Sequence, residues 1–343
     1  MPVRPTAAAG GDEYVVPLPG TAGPQPAGGG SAALAPSPAE QAWTTADCSE
    51  GSGPTPVTAA AAAPDADAEG SASVPDSPRK SSSGPRVPAG RSAPDGPHAA
   101  GDQALYAQAL ADGGARGELL IERHGLDREP TSLRWWLRDP DAGPPHDVRA
   151  LDLVTSGPVL DIGCATGRHL ELLAGRGVEA EGIDILAAAT ELARRHGCRA
   201  RVADIWTFRP GRQYRHLLLL GHNIGIPGRL ARLVPFLRRL GELLRSDGTV
   251  ILSGRDWRAD SRITATPTAS GTGPGSGYPG DTRLRHHYGS ATGPWFDWLD
   301  VDPDTLAAQA ARAGFCVRFA RHGTGRYLAE LAKVAGRDPG RGV

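Results

Sequence analysis

Three observations in this sequence predict an α/β fold built on an open, mostly parallel sheet. Val159, Leu160 and Ile162 form a short apolar run of the kind buried on both faces of such a sheet. That run passes through the small-residue turn Gly163-Cys164-Ala165-Thr166-Gly167 into Arg168-His169-Leu170, which reads as the start of a helix. From 178 to 253, further short apolar runs alternate with helical stripes, the rhythm of successive strand–helix units. Two of the runs also end in an acid, Asp184 and Asp204, at the edge where open α/β sheets bind ligands.

The first 100 of the 343 residues stand apart, being dominated by Ala, Gly, Pro and Ser. Such a stretch buries too little apolar surface to offset its conformational entropy, and it reads as a disordered tail. It has no basic start followed by an apolar core, so it does not read as a signal peptide. The organisation expected is a tail over 1–100, a helical lid or substrate-side segment over 101–150, a ligand-binding domain over 151–333 and a flexible C-terminus over 334–343. The chain holds 37 basic and 38 acidic residues, and after residue 100 the basic surplus is only four, which argues against a nucleic-acid partner. Four cysteines, Cys48, Cys164, Cys198 and Cys316, show no metal-ligand spacing and read as free thiols of a cytoplasmic protein with no metal. No apolar run approaches the roughly 20 residues that span a bilayer.

Between Gln103 and Arg138 the pattern suggests helix, turn and helix: Leu105, Tyr106, Ala109 and Leu110 lie at helical spacing, and Leu119, Leu120 and Ile121 continue an apolar face. Paired tryptophans, Trp135 and Trp136, follow, serving either to pack this segment or to line a site.

The turn at 163–167 says which ligand to expect. Its glycines allow a sharp bend and leave bare peptide for a ligand, while the following helix aims its N-terminal amides at that space. A dinucleotide fingerprint needs a third glycine where Arg168 stands, and a phosphate loop would end in Gly-Lys-Ser/Thr. Asp161-x-Gly163-x-Ala165-x-Gly167 instead resembles motif I of class I S-adenosylmethionine (AdoMet)-dependent methyltransferases, with Ala165 in the middle glycine slot. Asp184, at the tip of the next strand (178–183), can accept both hydroxyls of a ribose, a feature shared with NAD enzymes. Ala203-Asp204-Ile205 follows the strand at 200–203, where the resemblance implies recognition of adenine.

Strand four, 216–220, closes in Gly221-His222-Asn223-Ile224-Gly225. A helix over 230–244 follows, with Pro235 marking a kink or a restart. Strand five, 249–253, leads through Arg255 into a long Thr/Gly/Ser/Pro-rich loop that ends at Tyr278-Pro279-Gly280. An inserted hairpin is expected from 283–288 and 293–299, then a helix over 304–313 and a terminal antiparallel pair at 315–321 and 327–331. The sequences at 219–225, 253–256, 278–280 and 293–297 together look like a bacterial subgroup of class I methyltransferases with no defined substrate.

The resemblance implies the class I Rossmann-like sheet, mostly parallel with an antiparallel last strand, and AdoMet as cofactor. It implies a cofactor site of Asp161, Gly163, Cys164, Ala165, Gly167, Asp184, Ile185, Ala203, Asp204, Ile205 and Gly221. It places the end of strand four near the reacting methyl, so His222 and Asn223 are the first catalytic candidates, with Tyr288 and Asp297 behind them. Trp135, Trp136, Arg255, Tyr278, Arg285 and Trp295 are the candidates to line a small-molecule methyl acceptor's site. Two other readings remain: an NAD(P)-dependent oxidoreductase, which the missing glycine and Asp204 disfavour, and a non-catalytic AdoMet-binding protein.

Overall fold

The computed structural model describes residues 44–45, 100–259, 277–321 and 325–334, all in one unit that takes in 1–46 and 96–343. Most of the 1–100 tail, residues 260–276 of the long loop and residues 335–343 lie outside the described residues.

In chain order the elements are β1 (Thr44–Thr45), α1 (Ala104–Ala111), β2 (Leu119–Arg123) and β3 (Arg128–Pro130). Next come β4 (Val159–Ile162), α2 (Arg168–Gly175), β5 (Ala180–Asp184), α3 (Ala187–Arg195), β6 (Ala200–Val202) and β7 (Tyr214–Leu219). The chain continues with α4 (Leu233–Leu243), β8 (Leu244–Arg255), β9 (Asp281–Tyr288), β10 (Ala291–Thr292) and β11 (Phe296–Leu299). It closes with α5 (Pro303–Arg312), β12 (Phe315–Arg321) and β13 (Arg326–Lys333).

The main sheet has the order β1-β12-β13-β8-β7-β4-β5-β6. β4 lies parallel between β5 and β7, β5 is parallel to β6, and β7 to β8. β13 runs antiparallel to both β8 and β12, so the late strand that departs from the parallel set is the one expected. Two-residue β1 pairs with the outer edge of β12, so part of the stretch assigned to a disordered tail joins the sheet. Its two threonines are β-branched, which suits a strand.

Strand periodicity sorts the core. Leu160, Ile162, Leu217, Leu219, Val250 and Leu252 meet Phe236, Leu237 and Leu240 of α4 and Leu306 and Ala310 of α5. Val159, Leu218, Leu220 and Ile251 face the other way, onto Leu173 of α2 and onto Ala150, Leu151 and Val154. Every residue of β4 is buried, as its apolar run requires. Pro235 marks a restart: a single 3₁₀ turn at Leu230–Arg232 gives way to α4, which holds Pro235 in its first turn, where a missing N–H costs nothing. Asp302 caps α5 by accepting from the Asp304 and Thr305 amides ahead of Pro303.

A second sheet, β10-β9-β2-β3 with β11 also on β9, stands over the carboxyl edge of the first. The inserted hairpin of the sequence reading is here, but it has recruited the 119–130 stretch. The second helix expected after α1 is therefore corrected to a strand pair. Asp112-Gly113-Gly114 ends α1, and Gly113, Gly114 and Gly117 all take positive φ, which suits glycine and stops the helix. Leu119, Leu120 and Ile121 fit a helical stripe and a strand equally well, and the open edge of β9 decides: Leu119 pairs with Tyr288 and Arg123 with Leu284.

The cysteines are not all free. Cys164 and Cys198 are free thiols, but Cys316 is disulfide-bonded, which corrects the expectation of four thiols.

Candidate functional site

The carboxyl ends of β4, β5, β6 and β7 open into a cavity of about 280 Å³, closed from above by α1, the 131–136 stretch and the second sheet. The floor begins at Gly163. Its φ is +74°, and an added Cβ would fall 2.4 Å from Nδ2 of Asn223, so the position admits glycine alone. Asn223 Nδ2 donates to the carbonyls of Ile162 (2.9 Å) and Gly163 (3.1 Å), which ties the turn after β7 to the turn after β4.

Asp184 ends β5 with its carboxylate buried beside this turn. One oxygen accepts from the Ala165 amide (2.9 Å) and the other from the Leu186 amide (2.8 Å), which leaves each oxygen capacity for a further donor. Burial pushes its pKa up to about 6, against the two amides that hold it down. Beyond β6, Ala203, Asp204, Ile205 and Trp206 form the next part of the wall, with Asp204 accepting from the Trp206 amide. The Trp206 indole N–H is buried with no hydrogen-bond partner among the described residues. Leu220, Gly221, Asn223 and Ile226 complete the floor at the end of β7.

The lid over the turn is held by Arg138. Its guanidinium donates to the Thr166 carbonyl (2.6 Å), to the Trp136 carbonyl (3.3 Å) and to Glu171 (2.8 Å), while Thr166 Oγ1 donates back to Trp136 O (2.6 Å). Arg138→Ala should therefore loosen the lid without touching the cavity. Charge-assisted bonds of this kind contribute about 1.5–3 kcal/mol, so cofactor affinity should fall about tenfold in a calorimetric titration. An unchanged affinity would show that the clip does not shape the site.

The residues proposed from sequence divide sharply by position. Gly163, Ala165, Asp184, Ile185, Ala203, Asp204, Ile205 and Gly221 line the cavity, as do Asn223 and Trp136. The remainder do not, and each has another partner. Asp161 is buried behind the turn, 3.4 Å from Nδ1 of His169. Cys164 packs its side chain against Gly182, where an added Cβ would lie 2.6 Å from the sulfur. Gly167 caps α2 at φ +82° with no room for a Cβ beside Ala193 and Cys198. Trp135 is a packing residue against His169, with the Arg168 guanidinium 5.0 Å from its ring centre. The two tryptophans thus take different parts.

The catalytic and acceptor candidates need the larger revision. His222 sits at φ +65°, which turns its ring away from the cavity toward His146. Burial, with the Arg326 guanidinium nearby, pushes its pKa down to about 3. Tyr288 donates to Asp112 and accepts from the Arg116 amide, well under the second sheet. Asp297 is held by a two-point ion pair with Arg229, at 2.8 and 3.1 Å. Tyr278 donates to Asp302 and helps anchor α5. Arg285 makes a two-point pair with Glu122 and lies over the Trp295 ring, both on the outer face of the second sheet. Arg255 ends β8 opposite Arg326, outside the cavity lining.

In their place the roof brings Gln103, Tyr106, Ile121, Thr131, Leu284, His286, Phe296 and Trp298. One signal for these was present in the sequence. Strand alternation that sets Arg283, Arg285 and His287 on one face of β9 sets Leu284 and His286 on the other, and the leucine marks that face as the inner one.

No family model matches the chain. Among the curated relatives that match part of it are the ubiquinone biosynthesis O-methyltransferases of Alkalilimnicola ehrlichii and Pseudomonas aeruginosa (strain LESB58), each 35% identical over 83 residues. Those matches cover 22% of this chain, and the chain spans only about a third of the relatives' length, 34% and 36%. Among solved structures, a SAM-dependent methyltransferase from Bacteroides fragilis, in complex with S-adenosyl-L-homocysteine, is 27% identical with a TM-score of 0.58. That likeness covers 68% of this chain and 96% of the other. The fold is that of the class I AdoMet-dependent methyltransferases, as the motifs implied.

Proposed function

We propose that the chain is an AdoMet-dependent methyltransferase acting on a small-molecule acceptor, at oxygen or nitrogen rather than carbon. The observation that carries this reading is the convergence of four features on one cavity: the bare Gly163 turn, the buried Asp184 carboxylate, the Ala203–Trp206 wall and a closed aromatic roof. The residues fit AdoMet. Gly163 presents bare peptide in the cavity wall, Asp184 keeps acceptor capacity for ribose hydroxyls, and the Ala203–Trp206 wall is apolar apart from Asp204 and an indole N–H with no partner among the described residues. In this reading Gly163 and Ala165 meet the amino-acid end, Asp184 the ribose, and Asp204 with the Ile205 backbone the adenine.

The cofactor supplies a methyl group already activated on a sulfonium. What the chain contributes is position: it binds, orients and excludes water. Asn223 positions rather than reacts, since its amide is committed to the floor of the cavity. The O-methyltransferase relatives support oxygen as the acceptor atom. The roof supports a small acceptor, because its aromatic side chains stand over the cavity and offer a flat ring a surface to pack on. A cytoplasmic site of action accords with the absence of any helix, among the described residues, long and apolar enough to cross a membrane.

Label transfer tests the proposal. Full-length protein incubated with methyl-tritiated AdoMet and an ultrafiltered metabolite extract should move label into the low-mass fraction. Label found only on protein or RNA would overturn the small-molecule reading.

The Asp184 carboxyl predicts a pH dependence. It is ionised above about pH 6 and protonated below, and two ribose hydroxyls donate better to the ionised form. Affinity for AdoMet should be flat above pH 7 and fall about tenfold by pH 5, the ratio that one proton at a pKa near 6 imposes. Asp184→Asn should flatten that profile at a lower affinity. A wild-type profile level from pH 7.5 to 5 would contradict this use of Asp184.

A further inference from the structure

Among the described residues His286 is the one histidine in the cavity wall, and none of them satisfies it. Its side chain is 6% exposed, Nδ1 is buried without a partner, and neither ring nitrogen makes a hydrogen bond among the described residues. Two other buried imidazoles have a partner at each nitrogen: His287 lies between Thr292 and Glu122, and His216 between Thr155 and Thr249. Buried His169, behind the turn, has Asp161 at Nδ1 and no partner at Nε2, but it lies outside the cavity lining, whereas His286 is part of it. A buried polar group without a partner costs about 1–3 kcal/mol, so its presence in a cavity wall calls for a ligand atom.

Ring contacts locate it. The Tyr106 ring centre lies 5.7 Å from that of His286, and Phe296 lies 5.4 Å away on the same roof. Trp298 continues from Phe296 and presses on Gly225, where an added Cβ would fall 2.2 Å from the indole. Burial raises the Tyr106 pKa, and the charge of Asp184, in the same lining, raises it further. The roof therefore runs from above Asp184 to above the turn after β7, with His286 between the two ends.

Charge narrows the ligand further. Among the described residues the only carboxylates in the lining are Asp184 and Asp204, and no Lys or Arg lines the cavity. An acceptor bearing a carboxylate or phosphate would be desolvated beside two acids with no Lys or Arg among the described lining residues to pair with it, leaving the sulfonium as its one cationic neighbour, which is unfavourable. An aliphatic amine would arrive as a second cation beside the sulfonium. Flat rings, in contrast, suit a roof made of Tyr106, Trp136, Phe296 and Trp298. A hydroxyl both donates and accepts, so it complements His286 in either neutral tautomer. Burial keeps the ring neutral at physiological pH, with the pKa pushed down to about 4.

We propose that the acceptor is an uncharged aromatic molecule bearing a hydroxyl, and that His286 is the residue that hydrogen-bonds this hydroxyl. The proposal rests on the methyltransferase reading above, and its test separates the two. Full-length protein saturated with S-adenosylhomocysteine is titrated with 2-naphthol and with 2-naphthoate, following tryptophan fluorescence. 2-Naphthol should bind at least about tenfold more tightly than 2-naphthoate, the ratio expected for one lost or unpaired hydrogen bond. His286→Phe should weaken 2-naphthol by about the same factor and leave S-adenosylhomocysteine affinity unchanged, while His286→Gln, which keeps a polar partner, should restore most of the loss. Equal or tighter binding of 2-naphthoate, no binding of 2-naphthol, or unaltered 2-naphthol binding by His286→Phe would each overturn the proposal. Failure of the wild-type protein to bind S-adenosylhomocysteine would instead strike at the methyltransferase reading itself.

Discussion

Asp184→Ala is expected to abolish measurable AdoMet binding, a loss of about 100-fold or more. A carboxylate that accepts from two hydroxyls contributes about 1.5 kcal/mol or more for each, and 3 kcal/mol is already a factor above 100. The substitution also strips the Ala165 and Leu186 amides of their acceptor, which slackens the turn that carries Gly163. Stability should respond less than affinity. Burial makes the Asp184 charge unfavourable in the fold, as its raised pKa records, so its removal offsets part of the two lost hydrogen bonds. Calorimetry for binding and a thermal melt for folding separate the two effects. Binding within about threefold of wild type in a folded variant would be inconsistent with a ribose role for this residue.

Gly163→Ala should damage both quantities. The residue has φ +74°, a conformation that costs an L-residue about 1–2 kcal/mol. Its new Cβ would also collide with Asn223 Nδ2 at 2.4 Å, displacing an amide whose two hydrogen bonds contribute about 1 kcal/mol each. A destabilisation of about 3 kcal/mol is expected, read as a lower denaturation midpoint, together with loss of cofactor binding. The double variant Gly163→Ala/Asn223→Ala tests the cause, because removing the amide removes the collision. It should be no less stable than Gly163→Ala alone. Simple addition of the two single losses would mean that the collision is not what harms the variant.

How much of this was legible in the sequence depends on how local each part is. The floor of the site was readable because its pieces are contiguous: Val159 to Gly167 is a strand, a turn and a helix start within a few residues, Asp184 ends the next strand, and Asp204 stands two residues past the one after it. The roof was not, because it is assembled from residues far apart in the chain. Leu119 to Ile121 has no period that tells helix from strand, and only β9, some 160 residues later, supplies the partner that decides. Thr131 comes near His286 through that pairing, Trp298 through the pairing of β11 with β9, and Tyr106 from α1 by its ring contact with His286. His222 was misplaced for a different reason. It stands at the right strand end, but a positive φ turns the side chain away, and nothing in His222-Asn223 announces which residue takes that conformation. Tyr278, Tyr288, Arg285 and Asp297 share a third cause: residue types suited to chemistry are equally suited to ion pairs and anchoring hydrogen bonds, and here those partners claim them.

The central claim is that this cavity is a site for AdoMet and not for a nicotinamide dinucleotide. Calorimetric titration of the full-length protein with S-adenosylhomocysteine and, separately, with NADH at pH 7.5 tests it most directly. A cavity built for AdoMet should give saturable binding of S-adenosylhomocysteine at one site, lost in Asp184→Ala, and no heat from NADH. Saturable NADH binding, or a folded protein silent to S-adenosylhomocysteine, would contradict it.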